Sequence, residues 1–286
     1  MSQAPLDRLV ALPGRPALAV RSWTGPGPDR YLLVHGLASN LAMWDGVAAE
    51  LAASGATVHA VDLRGHGRSE KPEQGYRTDE VLADLLALVT ALGGAPYVWA
   101  GQSWGGNLVV ELAARRPELV RAVCGVDGGF LDLQQRFPRW PDCREQLAPP
   151  PSTGLPLTEL ERRFRGAHPS WPETGINGAL GCFEVRADGT VAPWLTLPRH
   201  LEVLRGLWEH HPGPALAALT MPALLLLART PGAAAFATEK QHAVERLTQT
   251  APKVQVRWLE GDHDLHAQHP SAVAAALVAL AEASGD

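Results

Sequence analysis

Lysine is scarce in this chain, with 3 residues against 22 arginines in a sequence of 286. No basic run gathers on one segment and the formal net charge is −5, which excludes the electrostatic footprint of a nucleic-acid-binding protein. Cysteine is scarce too. Cys124, Cys143 and Cys182 are odd in number and widely spaced, so they make neither a disulfide framework nor a metal cluster, and core packing accounts for them. No apolar run reaches the ~18 residues of a spanning helix, so no membrane span is expected. The N-terminus, "MSQAPLDRLVALPGRP", lacks a charged start followed by an apolar core of signal-peptide length, and a cytoplasmic protein is the expectation. Internal repeats, metal-ligand spacings and phosphate-binding glycine loops of the P-loop type are also missing, so no cofactor is expected. What remains is 46% hydrophobic and 19% charged residues, enough for a large core and against disorder.

Strand and helix patterns alternate. "ALAVRSW" (17–23), "YLLVHG" (31–36) and "TVHAVDL" (57–63) read as strands, and 78–93 has helical spacing with Thr78 as N-cap and Gly93 past the end. An apolar strand at 96–102 leads into a helix through 105–116, followed by a strand at 120–127. Near the C-terminus come a strand at 223–229, a helix near 238–249, a strand at 254–260 and a final helix from Ser271 to about Ala283. This order predicts an α/β fold, a mostly parallel sheet flanked by helices. From about Phe130 to about Leu219 the alternation stops. That segment holds "APPPSTGLP" and four of the nine tryptophans, too long and too aromatic for a plain loop. It reads as an inserted cap of short helices, giving a core of residues 1–129 and 220–286 and a cap of 130–219.

Gly101-Gln102-Ser103-Trp104-Gly105 fits G-x-S-x-G between a strand and a helix. A sharp strand-to-helix turn forces the central residue into a strained conformation, and flanking glycines leave room for it. The turn holds the hydroxyl above the sheet edge and aims the N–H of Trp104 at the same spot, where an oxyanion would gain a hydrogen bond and the helix dipole. The pattern alone is common by chance; with the strand and helix around it and the partner residues below, Ser103 is the expected nucleophile. A serine hydroxyl needs a base, and the base an orienting acid. Of 11 histidines, His263 in "LEGDHDLHAQHP" is the candidate base, because it follows a strand near the C-terminus where a loop can return over the sheet edge. His266 and His269 lead into the last helix. His35, His66, His210 and His211 read as structural.

These features resemble the α/β-hydrolase superfamily. The resemblance is carried by His35-Gly36, "DLRGHGRS" (62–69), the elbow at 101–105 and "GDHDLHAQHP" (261–270), where Pro270 follows His263 by seven residues. It runs from about residue 16 to the C-terminus, with the cap alike only in position. It is specific to the superfamily and to no substrate. It implies that a second oxyanion N–H comes from Leu37. In most members the acid lies after the strand that follows the cap, but here "TPGAAAFATEKQ" holds no aspartate and one carboxylate, Glu239. Asp127 ends the strand after the nucleophile helix, a position that pancreatic lipase-like members use, and is the expected acid, with Glu239 as the alternative.

Trp44, Trp194 and Trp208 are candidates for the substrate pocket, the alternative for each being core packing. A serine nucleophile separates this chain from haloalkane dehalogenases and from the epoxide hydrolases that use aspartate there. The expected chemistry is acyl transfer on a small, largely apolar ester or lactone. Amide hydrolysis of the prolyl-aminopeptidase kind, carbon–carbon bond hydrolysis, and a slow-turnover small-molecule receptor remain alternatives. The partner expected is a small-molecule substrate, with no nucleic acid and no membrane; the oligomeric state stays open.

Overall fold

The computed structural model describes residues 4–230 and 234–285; the side chains of residues 234–237 and 239 lie outside that description, and with them that of Glu239. The chain begins with strands β1 (Leu6–Leu12), β2 (Arg15–Trp23) and β3 (Arg30–Val34), then helix α1 (Asp45–Ala53) and strand β4 (Thr57–Val61). Next are α2 (Thr78–Ala91), β5 (Tyr97–Gln102), α3 (Trp104–Arg115) and β6 (Val120–Val126). An insertion follows, with α4 (Leu133–Arg136), α5 (Trp140–Leu147), α6 (Leu157–Ala167), α7 (Glu173–Leu180), the hairpin β7 (Phe183–Val185) and β8 (Val191–Pro193), α8 (Leu197–Glu209) and α9 (Gly213–Ala217). The chain then returns through β9 (Ala223–Arg229), α10 (Ala234–Thr248), β10 (Val254–Glu260), α11 (Leu265–Gln268) and α12 (Pro270–Glu282).

The main sheet has the order β1-β2-β4-β3-β5-β6-β9-β10. β2 runs antiparallel to β1 and β4, and the pairs from β4 through β10 are parallel. Parallel strands need crossover helices, and these cover both faces. The central strands are accordingly apolar throughout; all six residues of β5 are buried. Period-two alternation divides them. Leu32 and Val34 pack with α2 and α3 on one face, while Tyr31 and Leu33 pack with α1 and α12 on the other. Among the described residues, no helix is long and apolar enough to cross a membrane.

Two features lie outside the sequence expectation. β1 is an edge strand with Leu6 and Leu9 exposed, so its apolar residues do not alternate between a core and a wet face. The β7–β8 hairpin interrupts a segment expected to be helical throughout; three-residue strands are too short for a period-two signal.

Strand order positions the site. β4 lies on one side of β3 and β5 on the other, so the winding reverses between β3 and β5. In an open α/β sheet the crevice beyond the carboxyl ends at such a reversal receives ligand. The carboxyl ends there are His35-Gly36-Leu37 and Ser103. The insertion lies against the same end of the sheet. Glu202 of α8 accepts from the N–H groups of Gly75 and Tyr76 at 3.2 and 2.9 Å, and Asn40 Nδ2 donates to Gly178 O at 2.7 Å.

The loop after β4 is anchored by a buried ion pair. Arg64 Nε and Nη2 donate to Asp84 Oδ2 and Oδ1 of α2 at 2.5 and 2.6 Å, with side chains 6% and 1% exposed. Removing one partner of such a pair strands a buried charge. Asp84→Ala is expected to cost about 3–5 kcal/mol of unfolding free energy in urea titration. Asp79→Ala, which breaks an exposed pair with Arg115, is expected to cost less than about 1 kcal/mol. Equal losses in the two variants would contradict this account.

Candidate active site

Ser103 sits between β5 and α3 with φ 52° and ψ −120°. That conformation is strained for a residue with a side chain and persists because the surroundings leave no alternative. A Cβ on Gly101 would lie 2.1 Å from Gly105 O, and one on Gly105 would lie 2.5 Å from Val34 O and His35 O. The elbow is thus pressed against its own helix and against the end of β3. Ser103 N–H donates to Val126 O at 3.1 Å, which ties the serine to the end of β6. Among the described residues the Ser103 hydroxyl makes no hydrogen bond.

Asp127 is one residue further along β6, beside the elbow, with φ 42°. Its N–H donates to Leu226 O at 2.8 Å, and its carboxylate receives three donors. Ala228 N–H and Lys240 Nζ donate to Oδ1 at 2.9 and 2.6 Å, and His263 Nδ1–H donates to Oδ2 at 2.6 Å. The Asp127 side chain is 4% exposed and that of His263 52%. Burial works to raise the Asp127 pKa, but His263 and Lys240 outweigh it and hold the carboxyl below its ordinary value. The His263 ring presents its Nδ1 edge to the enclosed carboxylate. Desolvation there disfavours the charge, yet Asp127 dominates and keeps the His263 pKa above its ordinary value. A carboxylate can only accept, so Nδ1 carries the proton and Nε2 is left as the basic nitrogen. His263 is also tied to the elbow through its backbone, with Gln102 Nε2 donating to His263 O at 3.3 Å.

Two buried histidines brace the loop after β3. His35 Nδ1–H donates to Gly36 O at 2.7 Å while Nε2 accepts from Leu63 N–H at 3.0 Å. His66 Nδ1–H donates to Arg64 O at 2.9 Å while Nε2 accepts from Ala38 N–H at 3.2 Å. Burial depresses both pKa values, so each ring is neutral and can accept as well as donate. Ala38 has φ 58°, and the brace fixes the residue after Leu37 in that conformation. Among the described residues, the N–H groups of Leu37 and Trp104 donate to no protein acceptor. Trp104 opens α3, where the first N–H groups have no partner in the helix.

The structure brings Asp127 and His263 into direct contact, with Ser103 on the neighbouring strand end. It does not bring the three candidate pocket tryptophans together. Trp44 is fully enclosed, its ring 4.5 Å from that of His266. Trp208 donates from Nε1 to Phe137 O at 2.7 Å and packs on Trp140. Trp194 faces a cavity of about 440 Å³ that also touches Asn40, Arg68 and Phe183. A separate cavity of about 330 Å³ has Asp127 and His263 in its wall, together with Phe130, Leu131, Leu133 and Leu247. Lys240 and Asn107 went unnoticed in the sequence. Asn107 Oδ1 accepts from Gly129 N–H and Leu131 N–H at 3.0 and 3.2 Å, so α3 holds the turn that carries Asp127. No local pattern marks either residue. Among the described residues no group of side chains could hold a metal ion.

Residues 32–159 match the family model for the alpha/beta hydrolase fold. The chain is similar to 2-(acetamidomethylene)succinate hydrolase of Mesorhizobium japonicum, at 30% identity over 217 residues, covering 74% of each chain. It is 34% identical to Lipase LipV of Mycobacterium tuberculosis over 110 residues, 38% of this chain and 41% of that one. Among solved structures, that of E-2-(acetamidomethylene)succinate hydrolase superposes with a TM-score of 0.79 at 26% identity, covering 98% of this chain and all of the other.

The close approach of β6 and the elbow has a direct test. A Cβ on Gly128 would lie 2.2 Å from Ser103 O and 2.6 Å from Ser103 N, backbone atoms that cannot yield. Gly128→Ala is expected to destabilise the fold by about 1–3 kcal/mol or more in thermal unfolding. Gly166→Ala, where a Cβ meets open space on α6, is expected to be neutral or stabilising. An unchanged Tm for Gly128→Ala would refute the contact.

Proposed function

The chain belongs to the α/β-hydrolase family, and from that premise we propose that it is a serine hydrolase that cleaves a carboxylic ester or lactone of a small, largely apolar substrate. The observation that carries this reading is the 2.6 Å contact of His263 Nδ1 with Asp127 Oδ2, beside a serine held at φ 52° on the adjoining strand end. Ser103 Oγ attacks the substrate carbonyl and His263 Nε2 takes its proton. Asp127 accepts the Nδ1–H, fixing the tautomer and stabilising the imidazolium. The N–H groups of Leu37 and Trp104 receive the oxyanion. His263 returns the proton to the leaving alcohol, then activates water, which releases the acid and restores the serine. The contact between Ser103 and His263 belongs to the substrate complex, where such hydrogen bonds tighten.

In this reading residues 130–219 are a cap over a core of 1–129 and 220–286. The apolar side chains beside His263 (Phe130, Leu131, Leu133 and Leu247) suit an apolar acyl or alcohol part. The substrate-facing role of Trp194 is kept as part of the proposal, whereas the enclosure of Trp44 and the Trp140 contact of Trp208 favour packing roles for those two. Three free cysteines, two of them buried, fit a reducing, cytoplasmic setting. A second reading is amide hydrolysis by the same machinery. It is favoured by the relative whose name specifies an acetamido compound as substrate.

A panel of aryl esters, lactones and acetamides separates the two readings, with turnover of the esters or lactones expected to exceed that of the amides. On the best substrate, Asp127→Asn is expected to lower kcat by about 10⁴-fold, because an amide misorients the base. Near-full activity of Asp127→Asn would remove Asp127 from the mechanism. Because the His263 pKa lies above its ordinary value, the active neutral base forms as pH rises through that pKa and is lost below it. The rate of the wild type is therefore expected to fall toward acid with a midpoint above about 6.5. A midpoint well below that value would contradict the Asp127 contact.

A further inference from the structure

Lys240 is one of three lysines in the chain, and it is enclosed, its side chain 6% exposed. It rises from α10, the helix that follows β9. Its Nζ lies 6.0 and 5.9 Å from the ring centroids of Phe130 and Trp258. Nζ donates to Asp127 Oδ1 at 2.6 Å and to Ala228 O at 2.9 Å. Enclosing an ammonium costs free energy unless it is paired and hydrogen-bonded, and both conditions are met on one oxygen of Asp127 and the end of β9.

We infer that Lys240 is a positioning residue of the catalytic apparatus, its ammonium locking the Asp127 carboxylate in the orientation that His263 requires. The inference rests on the serine-hydrolase reading above. Rotation of the carboxylate would break the Oδ1 bonds to Lys240 and Ala228 N–H as well as the Oδ2 bond to His263. Lysine also acts through charge. In the resting state Asp127 and Lys240 balance beside a neutral His263. When His263 takes the serine proton, a second cation forms near the ammonium. Lys240 therefore opposes protonation of His263, against the stronger pull of Asp127. The consequence is a base that stays neutral, and so usable, to lower pH than an aspartate alone would allow.

Other charged groups face this cluster. Asp264 lies next to His263 in the loop, and burial holds its pKa above the ordinary carboxylate range. His266 of α11, enclosed against Trp44, is pushed down to about 3 by burial and stays neutral. From the insertion, His168 and Trp171 contact Asp262 at 3.4 and 3.0 Å. Asp132, Arg136 and Arg246 line the cavity that Lys240 and His263 share. Each of these residues is present in wild type and Lys240 variants alike, so the comparison of pH profiles isolates the change at Lys240.

The test is the pH dependence of the second-order rate of Ser103 labelling by a fluorophosphonate, for wild type, Lys240→Met, Lys240→Gln and Lys240→Arg. Met retains the length and apolar bulk of the lysine stem, and Gln retains an N–H donor, so the two neutral variants guard against failure of either one to fold. The expected result is an acid-limb midpoint raised by roughly 0.5–1 pH unit in both neutral variants and restored toward wild type in Lys240→Arg. Neutral variants with the wild-type midpoint, whatever their rate, would make Lys240 a packing residue and overturn the inference alone. A wild type unlabelled at Ser103 would overturn the hydrolase reading and the inference together.

Discussion

The buried carboxylate of Asp127 is the point on which the rest of the site depends. An ionised carboxylate enclosed at the edge of a sheet is costly unless its lone pairs are filled. Here they are filled from three separate parts of the chain: the backbone at the end of β9, the lysine of α10 and the histidine loop after β10. The carboxylate therefore joins segments that are remote in sequence, and each of them is held in place by what it gives to Asp127. In the proposed triad the acid is Asp127, at the end of β6, and not a residue of the loop after β9. The region that would supply an acid in most family members supplies a cation instead. This arrangement explains how the end of β9 contributes to the site without a carboxylate of its own.

Such convergence requires the backbones of β3, β5 and β6 to come together at their carboxyl ends. Glycine is what permits it, at Gly101 and Gly105 for the helix against the strand and at Gly128 for β6 against the elbow. Strand order supplies the opening, because the winding reverses between β3 and β5. The two neutral histidines, His35 and His66, then hold the loop after β3 at the distance the elbow sets. Their burial is what allows them to accept backbone N–H groups, since a protonated ring could only donate.

Much of this was legible in the sequence where the signal is local. Apolar runs bounded by turns mark the central strands, because a strand covered on both faces has no need of polar residues. G-x-S-x-G marks a turn whose geometry demands small neighbours, and Asp127-Gly128-Gly129 marks a carboxylate at a strand end that can turn sharply. β1 was not legible, since Leu6 and Leu9 are exposed on an edge strand and give no amphipathic alternation. Nor was Lys240, whose partner lies 113 residues away, so only the fold relates them. The tryptophans divide between the two expected roles for a physical reason. A large ring serves core packing as readily as a pocket wall, and composition cannot distinguish the enclosed Trp44 from Trp194 in a cavity wall.

The central claim is that Ser103 is an activated nucleophile. Intact mass after exposure to a fluorophosphonate, followed by peptide mapping, tests it without knowledge of the substrate, because the reagent needs only an activated serine and an oxyanion site. The account predicts a single adduct, on Ser103, in the wild type and none in Ser103→Ala. An unmodified wild type, or an adduct that persists in Ser103→Ala, would contradict it.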